Sequence, residues 1–308
     1  MRKGQLIIRS LVFLVLFQGF CFGQSRSRNT SGLSFLKLGV GGRAAGLGEA
    51  YTAVADEVFA AYWNPAGLAN LKNAQLGFTH TEWIQDVTSE YFAFAFPLLK
   101  GSVALSLNSN HVSGIQRRII PSDEPAGTVD ANDLALGLSY GRGLSSVFTG
   151  GITVKYLYEK IYLDSASGFA LDLGLLVQPF QNPLKLAVVA QNIGSMGKLR
   201  NESIELPSTL RVGAAYFIEL TAVAGGLLLT ADGVKQFSND SGLRGNFGLE
   251  LQLKKIMAFR IGYQTGFDEK SLAGGLGFHF KNYHLNYGFT PFGADIGNTH
   301  RLSFGLDL

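Results

Sequence analysis

The last nine residues, HRLSFGLDL, put Leu302, Phe304, Leu306 and Leu308 on one side of an extended chain. Arg301, Ser303, Gly305 and Asp307 fall on the other. A period of two is the signature of a β-strand with two unlike faces. The pattern recurs in NFGLELQL (246–253), MAFRIGYQ (257–264), SLAGGLGFHF (271–280) and YHLNYGFT (283–290). In each, an apolar, aromatic-tipped face opposes Gly, Ala, Ser or charged residues. A soluble sandwich alternates in the same way, so the connections must decide.

Fourteen candidate strands start near Asn73, Ser89, Ser102, Asp130, Ser146, Ser167, Leu184, Ser208, Ala222, Arg244, Met257, Ser271, Tyr283 and His300. Short links (98–101, 180–183, 254–255, 281–282) alternate with longer ones (112–130, 193–207, 291–298). An even strand count, with short turns on one rim and long loops on the other, is the layout of an outer-membrane barrel. In hydrocarbon every backbone amide must pair within the protein, and a closed antiparallel barrel is the β arrangement without an open edge. The expected fold is therefore all-β: a 14-stranded antiparallel transmembrane β-barrel.

The front of the chain agrees with that destination. Arg2 and Lys3 precede an apolar run from about Leu6 to Phe22, followed by small and polar residues, the order of a secretory signal peptide. Cleavage is expected near Gly23, giving residues 1–23 as signal, 24–72 as an N-terminal segment and 73–308 as barrel. Three of the 26 Lys and Arg residues lie in the signal and none of the 23 acidic ones does, so the mature chain is balanced in charge. No basic face for nucleic acid is implied. Cys21, the single cysteine, leaves with the signal, so neither a disulfide framework nor a thiol nucleophile is expected.

Fourteen strands about 4.8 Å apart and tilted by about 40° enclose a cylinder roughly 28 Å across, too wide for wall side chains to fill. The segment from about Leu33 to Asn70 is the one sizeable non-strand piece, and we read it as a small helical hatch in the lumen. Ala44, Leu47 and Tyr51, then Val54, Val58 and Ala61, fall at helical spacing. Asn64 is suited to an N-cap and Pro65 to a first helical position. The expected seats are the small inward residues Gly137, Gly174, Gly248, Gly275 and Gly277. Arg43, Asp56 and Glu57 are candidates to pair with wall charges such as Lys155, Asp172, Glu250 or Arg260. Phe59, Tyr62 and Trp63 either pack the hatch or line an apolar ligand site.

No catalytic, cofactor or metal residues are assigned. GVGGRA (39–44) lacks the βαβ unit that a dinucleotide fingerprint requires. HVSG (111–114) superficially resembles the His and Ser of barrel phospholipases, but no Asn partner is evident in the sequence. The five histidines, His80, His111, His279, His284 and His300, show no metal-ligand spacing. Asp123, Glu124, Asp130 and Asp133 could hold a calcium ion or form a solvated loop. With Arg117 and Arg118, Asp123 and Glu124 make the longest loop a candidate surface for protein partners.

GVGGRAAGLGEAYTAVADEVFAAYWNPAGLA resembles the N-terminal signature of the PorV/PorQ group within the FadL-like outer-membrane barrels, and FTPFGADIGNTHRLSFGLDL resembles that group's last hairpin. The resemblance implies a 14-stranded barrel with an N-terminal plug in the bacterial outer membrane. It implies a non-enzymatic component linked to type IX secretion, whose partners are secreted proteins or other secretion components. The FadL side of the likeness implies the alternative, passive transport of hydrophobic compounds such as fatty acids through a gap in the wall.

Overall fold

The computed structural model describes residues 32–84, 87–118, 124–179, 183–237, 242–267, 270–293 and 296–308. The expected signal peptide and Asp123 lie outside the described residues. The strands are β1 (Gln75–Glu82), β2 (Val87–Leu98), β3 (Gly101–Arg117), β4 (Gly127–Gly143), β5 (Phe148–Ile161), β6 (Asp164–Val177) and β7 (Leu184–Met196). Two strands of two residues each, β8 (Lys198–Leu199) and β9 (Glu202–Ser203), pair with each other. The series resumes with β10 (Thr209–Leu220), β11 (Gly225–Gln236), β12 (Arg244–Leu253), β13 (Met257–Thr265), β14 (Leu272–Phe280), β15 (Tyr283–Pro291) and β16 (Asn298–Asp307). Apart from β8 and β9, the strands form one closed barrel in which each pairs antiparallel with its neighbours, and β1 closes on β16 from Gln75↔Asp307 to Glu82↔His300.

The expected barrel of 14 strands is thus the observed one. Alternation is what the wall obeys: along β16, Thr299, Arg301 and Ser303 are buried while Leu302 and Phe304 are exposed. The outward row continues around the barrel through Phe92, Leu105, Leu138, Val154, Leu173, Ile261 and Leu276, all exposed. Such a contiguous apolar surface is unfavourable in water and suited to hydrocarbon. The connections differ from expectation in two places. Residues 112–130 are mostly strand, because β3 and β4 run on past a bulge between Val112 and Ile115, where Gly114 takes φ +70°. The β5–β6 link, on the same rim as the long loops, is a tight turn at Tyr162 and Leu163.

The lumen is filled by residues 33–71. Leu47, Tyr51, Phe59, Trp63 and Leu68 are all at 2 % exposure or less. The long helix suggested by the spacing of Ala44 to Ala61 does not form. Short helical pieces occupy Ser34–Lys37, Gly42–Gly46, Ala60–Trp63 and Pro65–Asn70, and the chain between Leu47 and Phe59 is irregular. The reason is steric: Gly48 sits at φ +62°, in contact with the wall at Gly262, where a methyl group would come within 2.0 Å of the Gly48 nitrogen. A continuous helix would push its cylinder, about 10 Å wide, into that wall.

Candidate functional site

Backbone groups in an irregular buried segment need partners, and polar wall side chains supply them. Asp232 Oδ2 accepts from the amides of Tyr51 and Thr52, each at 3.0 Å, and from the Thr52 hydroxyl. Ser303 Oγ accepts from the Gly42 amide at 2.9 Å, and Gln75 Oε1 from the Val58 amide at 2.8 Å. Gln191 Nε2 donates to the Tyr62 carbonyl at 2.7 Å, and the Thr230 hydroxyl to that of Ala50 at 2.9 Å. The wall is therefore built to receive this particular segment.

Charge fixes it further. Arg43 donates from Nε and Nη2 to the two oxygens of Glu250, at 2.8 and 3.0 Å, and from Nη1 to Asp56 at 2.8 Å. Arg260 Nε reaches the same Glu250 at 2.5 Å. Burial opposes the charge on Arg43, but Glu250, Tyr51, Asp56 and Glu57 together more than offset it, so the guanidinium stays protonated. Glu57 bonds within the hatch, accepting from the Tyr51 hydroxyl at 2.6 Å, and burial raises its carboxyl above the usual range. Of the wall charges considered from sequence, Glu250 and Arg260 meet the hatch network, whereas Lys155 and Asp172 pair with each other at 2.6 Å. Asp232 was missed; its signal was an isolated carboxylate on the inward face of LLLTADGV (227–234).

The YWNPAG stretch forms the hatch's firmest turn. The Asn64 side chain accepts from the Ala66 amide at 3.1 Å and donates to the Thr52 carbonyl at 3.0 Å, ahead of a 3₁₀ turn begun by Pro65. Trp63 donates from its indole nitrogen to the Val40 carbonyl at 2.9 Å and meets Tyr51 and Tyr62 edge-on. Phe59, Tyr62 and Trp63 are packed within the hatch and against Tyr91 of the wall. Gly141, Gly151 and Gly174 lie against Asn64–Ala69. Gly248 and Gly275 also face the hatch, at Leu47 and Gly46. Gly137 and Gly277 do not: their missing side chains make room for Ser106 and for the Arg260 guanidinium.

Two regions of the lumen differ in chemistry. Toward the rim of long loops, Leu33, Phe35 and Leu36 of the hatch form an apolar cluster with Ala135, Leu157, Ala170 and Leu206, joined by Met196 and Ile204. Beside it the β6–β7 ladder is irregular: Leu171 pairs with Ile193 but Leu173 with Ala190, and Asn192 takes φ +58°. The Asn192 amide turns to Asp172 Oδ1 at 2.8 Å instead of to the ladder. Near the short-turn rim, Arg43, Asp56, Glu57, Phe59, Gln75, His279, His284 and Asp307 line a cavity of about 160 Å³. That volume is below the range of about 300–1,000 Å³ usual for small-molecule pockets.

The loop residues are not brought into one site. Arg117 ends β3 and stacks on Tyr162 with its guanidinium 5.0 Å from the ring, while Arg118 and Glu124 lie in the connection to β4. Asp130 and Asp133 belong to β4 rather than to a loop, and no group of three or more His, Cys, Asp or Glu able to hold a metal occurs among the described residues. His111 does have an Asn partner, unseen in the sequence: its Nδ1 lies 2.8 Å from Asn132 Oδ1 on the outer face. No hydrogen bond joins Ser113 to that histidine.

A closed barrel with an apolar outer face and a lumen-seated N-terminal segment is the fold of outer-membrane β-barrels. The Pseudomonas putida toluene transporter TodX shares it with a TM-score of 0.56 at 11% identity, over 82% of this chain and 94% of that one. A Pseudomonas aeruginosa FadL homologue shares it with a TM-score of 0.52 at 11% identity, over 92% and 99% of the respective chains. Residues 23–100 match the model of an uncharacterised protein family, UPF0164. No curated protein matches the sequence. The likeness of fold is to FadL-like barrels, whereas the PorV/PorQ resemblance rests on the motifs alone.

Proposed function

We propose that the protein resides in the bacterial outer membrane after signal-peptide cleavage, with its long loops outside the cell, and passes small hydrophobic compounds passively, without catalysis. The observation that carries this reading is the apolar cluster around Phe35 and Leu36, placed directly beside the irregular β6–β7 seam. Ala170 belongs to the cluster and is two residues from Asp172, where the ladder is interrupted. Displacing residues 33–38 would leave an apolar pocket opening toward a weak point of the wall. Passage between lumen and membrane then needs no aqueous channel. That the structural relatives include a toluene transporter supports the same reading.

The test is uptake of radiolabelled toluene by cells carrying the full chain. Phe35→Ala is expected to raise uptake by clearing the pocket. A disulfide across the seam, from Leu173→Cys with Ala190→Cys, is expected to abolish it and reduction to restore it. Uptake indifferent to both changes would refute the route.

A second reading is favoured by the ion-paired hatch and the front motif: a component linked to type IX secretion that binds proteins through its outer loops. It expects gene deletion to strip proteins from the cell surface and charge reversal at Arg117, Arg118 and Glu124 to weaken a specific complex. Unchanged surface proteins after deletion would dismiss it.

A further inference from the structure

Opposite the apolar cluster, the long-loop half of the lumen holds cations in excess of carboxylates. Arg211 and Arg301 project from β10 and β16, Arg244 begins β12, and Lys270 precedes β14. Glu49 of the hatch is the carboxylate among them, with Arg301 Nη2 at 3.7 Å from its Oε1. Lys270 and Arg244 share the Phe267 ring, while Arg211 stacks 4.9 Å over Trp63 of the hatch and donates from Nε to Gln191 Oε1 at 3.1 Å. Asp232, on the neighbouring strand β11, is already committed to Tyr51 and Thr52.

Two of these cations are buried and incompletely used. Arg301 is 3% exposed, and its Nε and Nη1 have no hydrogen-bond partner among the described residues; Arg211 is 8% exposed, and its Nη1 has none. Buried guanidinium donors left unmatched are costly. A bound anion removes that cost. Aromatic rings complete the site. Lys270 Nζ lies 4.3 Å from the Phe267 ring centroid, 5.5 Å from Trp83 and 5.9 Å from Phe292, and Arg244 lies 4.3 Å from Phe267. Trp83, Phe267 and Phe292 are half-buried, and Trp83 meets Phe292 edge-on at 5.4 Å. Below them the wall turns polar, with Asn246, Gln264 and Asn286 buried. A long acyl tail finds no apolar lining there.

We infer that this vestibule is a binding site for a compact, ring-bearing carboxylate, its oxygens on Arg301, Arg211 and Lys270 and its ring among Trp83, Phe267 and Phe292. The inference goes beyond passive passage of neutral compounds. It concerns equilibrium binding on the other side of the lumen from the β6–β7 seam, so either idea can fail alone.

The test is isothermal titration of the purified full chain in a non-ionic detergent with benzoate, benzamide, acetate and inorganic phosphate. Benzoate is expected to bind saturably and to shift the emission of Trp63 and Trp83, the chain's two tryptophans. Lys270→Gln, in a loop and outside the barrel ladder, is expected to weaken benzoate about tenfold, and Arg301→Gln by as much or more. Benzamide binding as tightly as benzoate removes the role of the charges and overturns the assignment. Acetate or phosphate binding as tightly removes the role of the rings and overturns it equally. So does an unchanged affinity in Lys270→Gln with the barrel intact by circular dichroism.

Discussion

Replacing Arg43 with methionine should release the hatch while leaving the barrel closed. Two charge-assisted bonds to Glu250 are lost, at 2.8 and 3.0 Å, at a carboxylate that is fully buried. The third, to Asp56, counts for little because that side chain is 40% exposed. Breaking a buried pair by removing one partner costs about 3–5 kcal/mol. Glu250 keeps Arg260 on Oε2 and Gln252 on Oε1, so the low end applies, about 3 kcal/mol. The released population should rise roughly 100-fold. Limited chymotrypsin digestion at Tyr51, Phe59 and Tyr62 reads that population directly when opening is fast relative to cleavage. Heat-resistant migration of the barrel on gels should persist, since no ladder bond is touched. Wild-type cleavage rates would refute the reasoning. A double-mutant cycle with Glu250→Gln whose effects simply add, within about 0.5 kcal/mol, would refute it too.

Gly262→Val should evict the Gly48 turn, because the new Cβ meets the Gly48 amide at 2.0 Å; the expected outcome is hatch cleavage as fast as in Arg43→Met, again with a heat-resistant barrel. Asn64→Ala removes the cap on Pro65–Asn70 and orphans the Thr52 carbonyl, costing about 1–3 kcal/mol of hatch docking in the same assay. For Glu57, burial raises the carboxyl above its value in a released hatch, so docking retains more protons than release. Its contribution is fully present below the ordinary carboxylate range and is lost as pH rises through the raised value. Protease sensitivity should therefore climb with pH over that interval in the native chain and stay flatter in Glu57→Gln; identical profiles would contradict the sign.

The wall was readable because lipid on one face and hatch on the other impose a strict period of two on nearly every strand. Where the period broke, the reading failed: the bulge at Val112–Ile115 concealed the outer ends of β3 and β4. The hatch was inferable from the size of the lumen, and Asn64–Pro65 announced its turn. The spacing of Ala44, Leu47, Tyr51, Val54 and Val58 marked buried positions but not a helix, since glycine contacts with the wall outweigh a periodicity so short. Pairing partners were beyond reach for a different reason. Asp172, Asp232 and Glu250 are each isolated inward carboxylates of similar sequence surroundings, and only strand register decides that one meets Lys155, one two hatch amides and one Arg43. The cations of the vestibule are likewise scattered over β10 to β16 and converge only on closure.

The hatch runs into β1 within four residues of Leu71, and β1 is the strand that closes on β16. Stopper and zipper are thus one continuous stretch of chain. Asp232, Ser303, Gln191 and Thr230 of later strands find hatch partners only because that stretch lies inside the closed ring. The segment that fills the pore and the strand that completes its wall are therefore joined by four residues of chain.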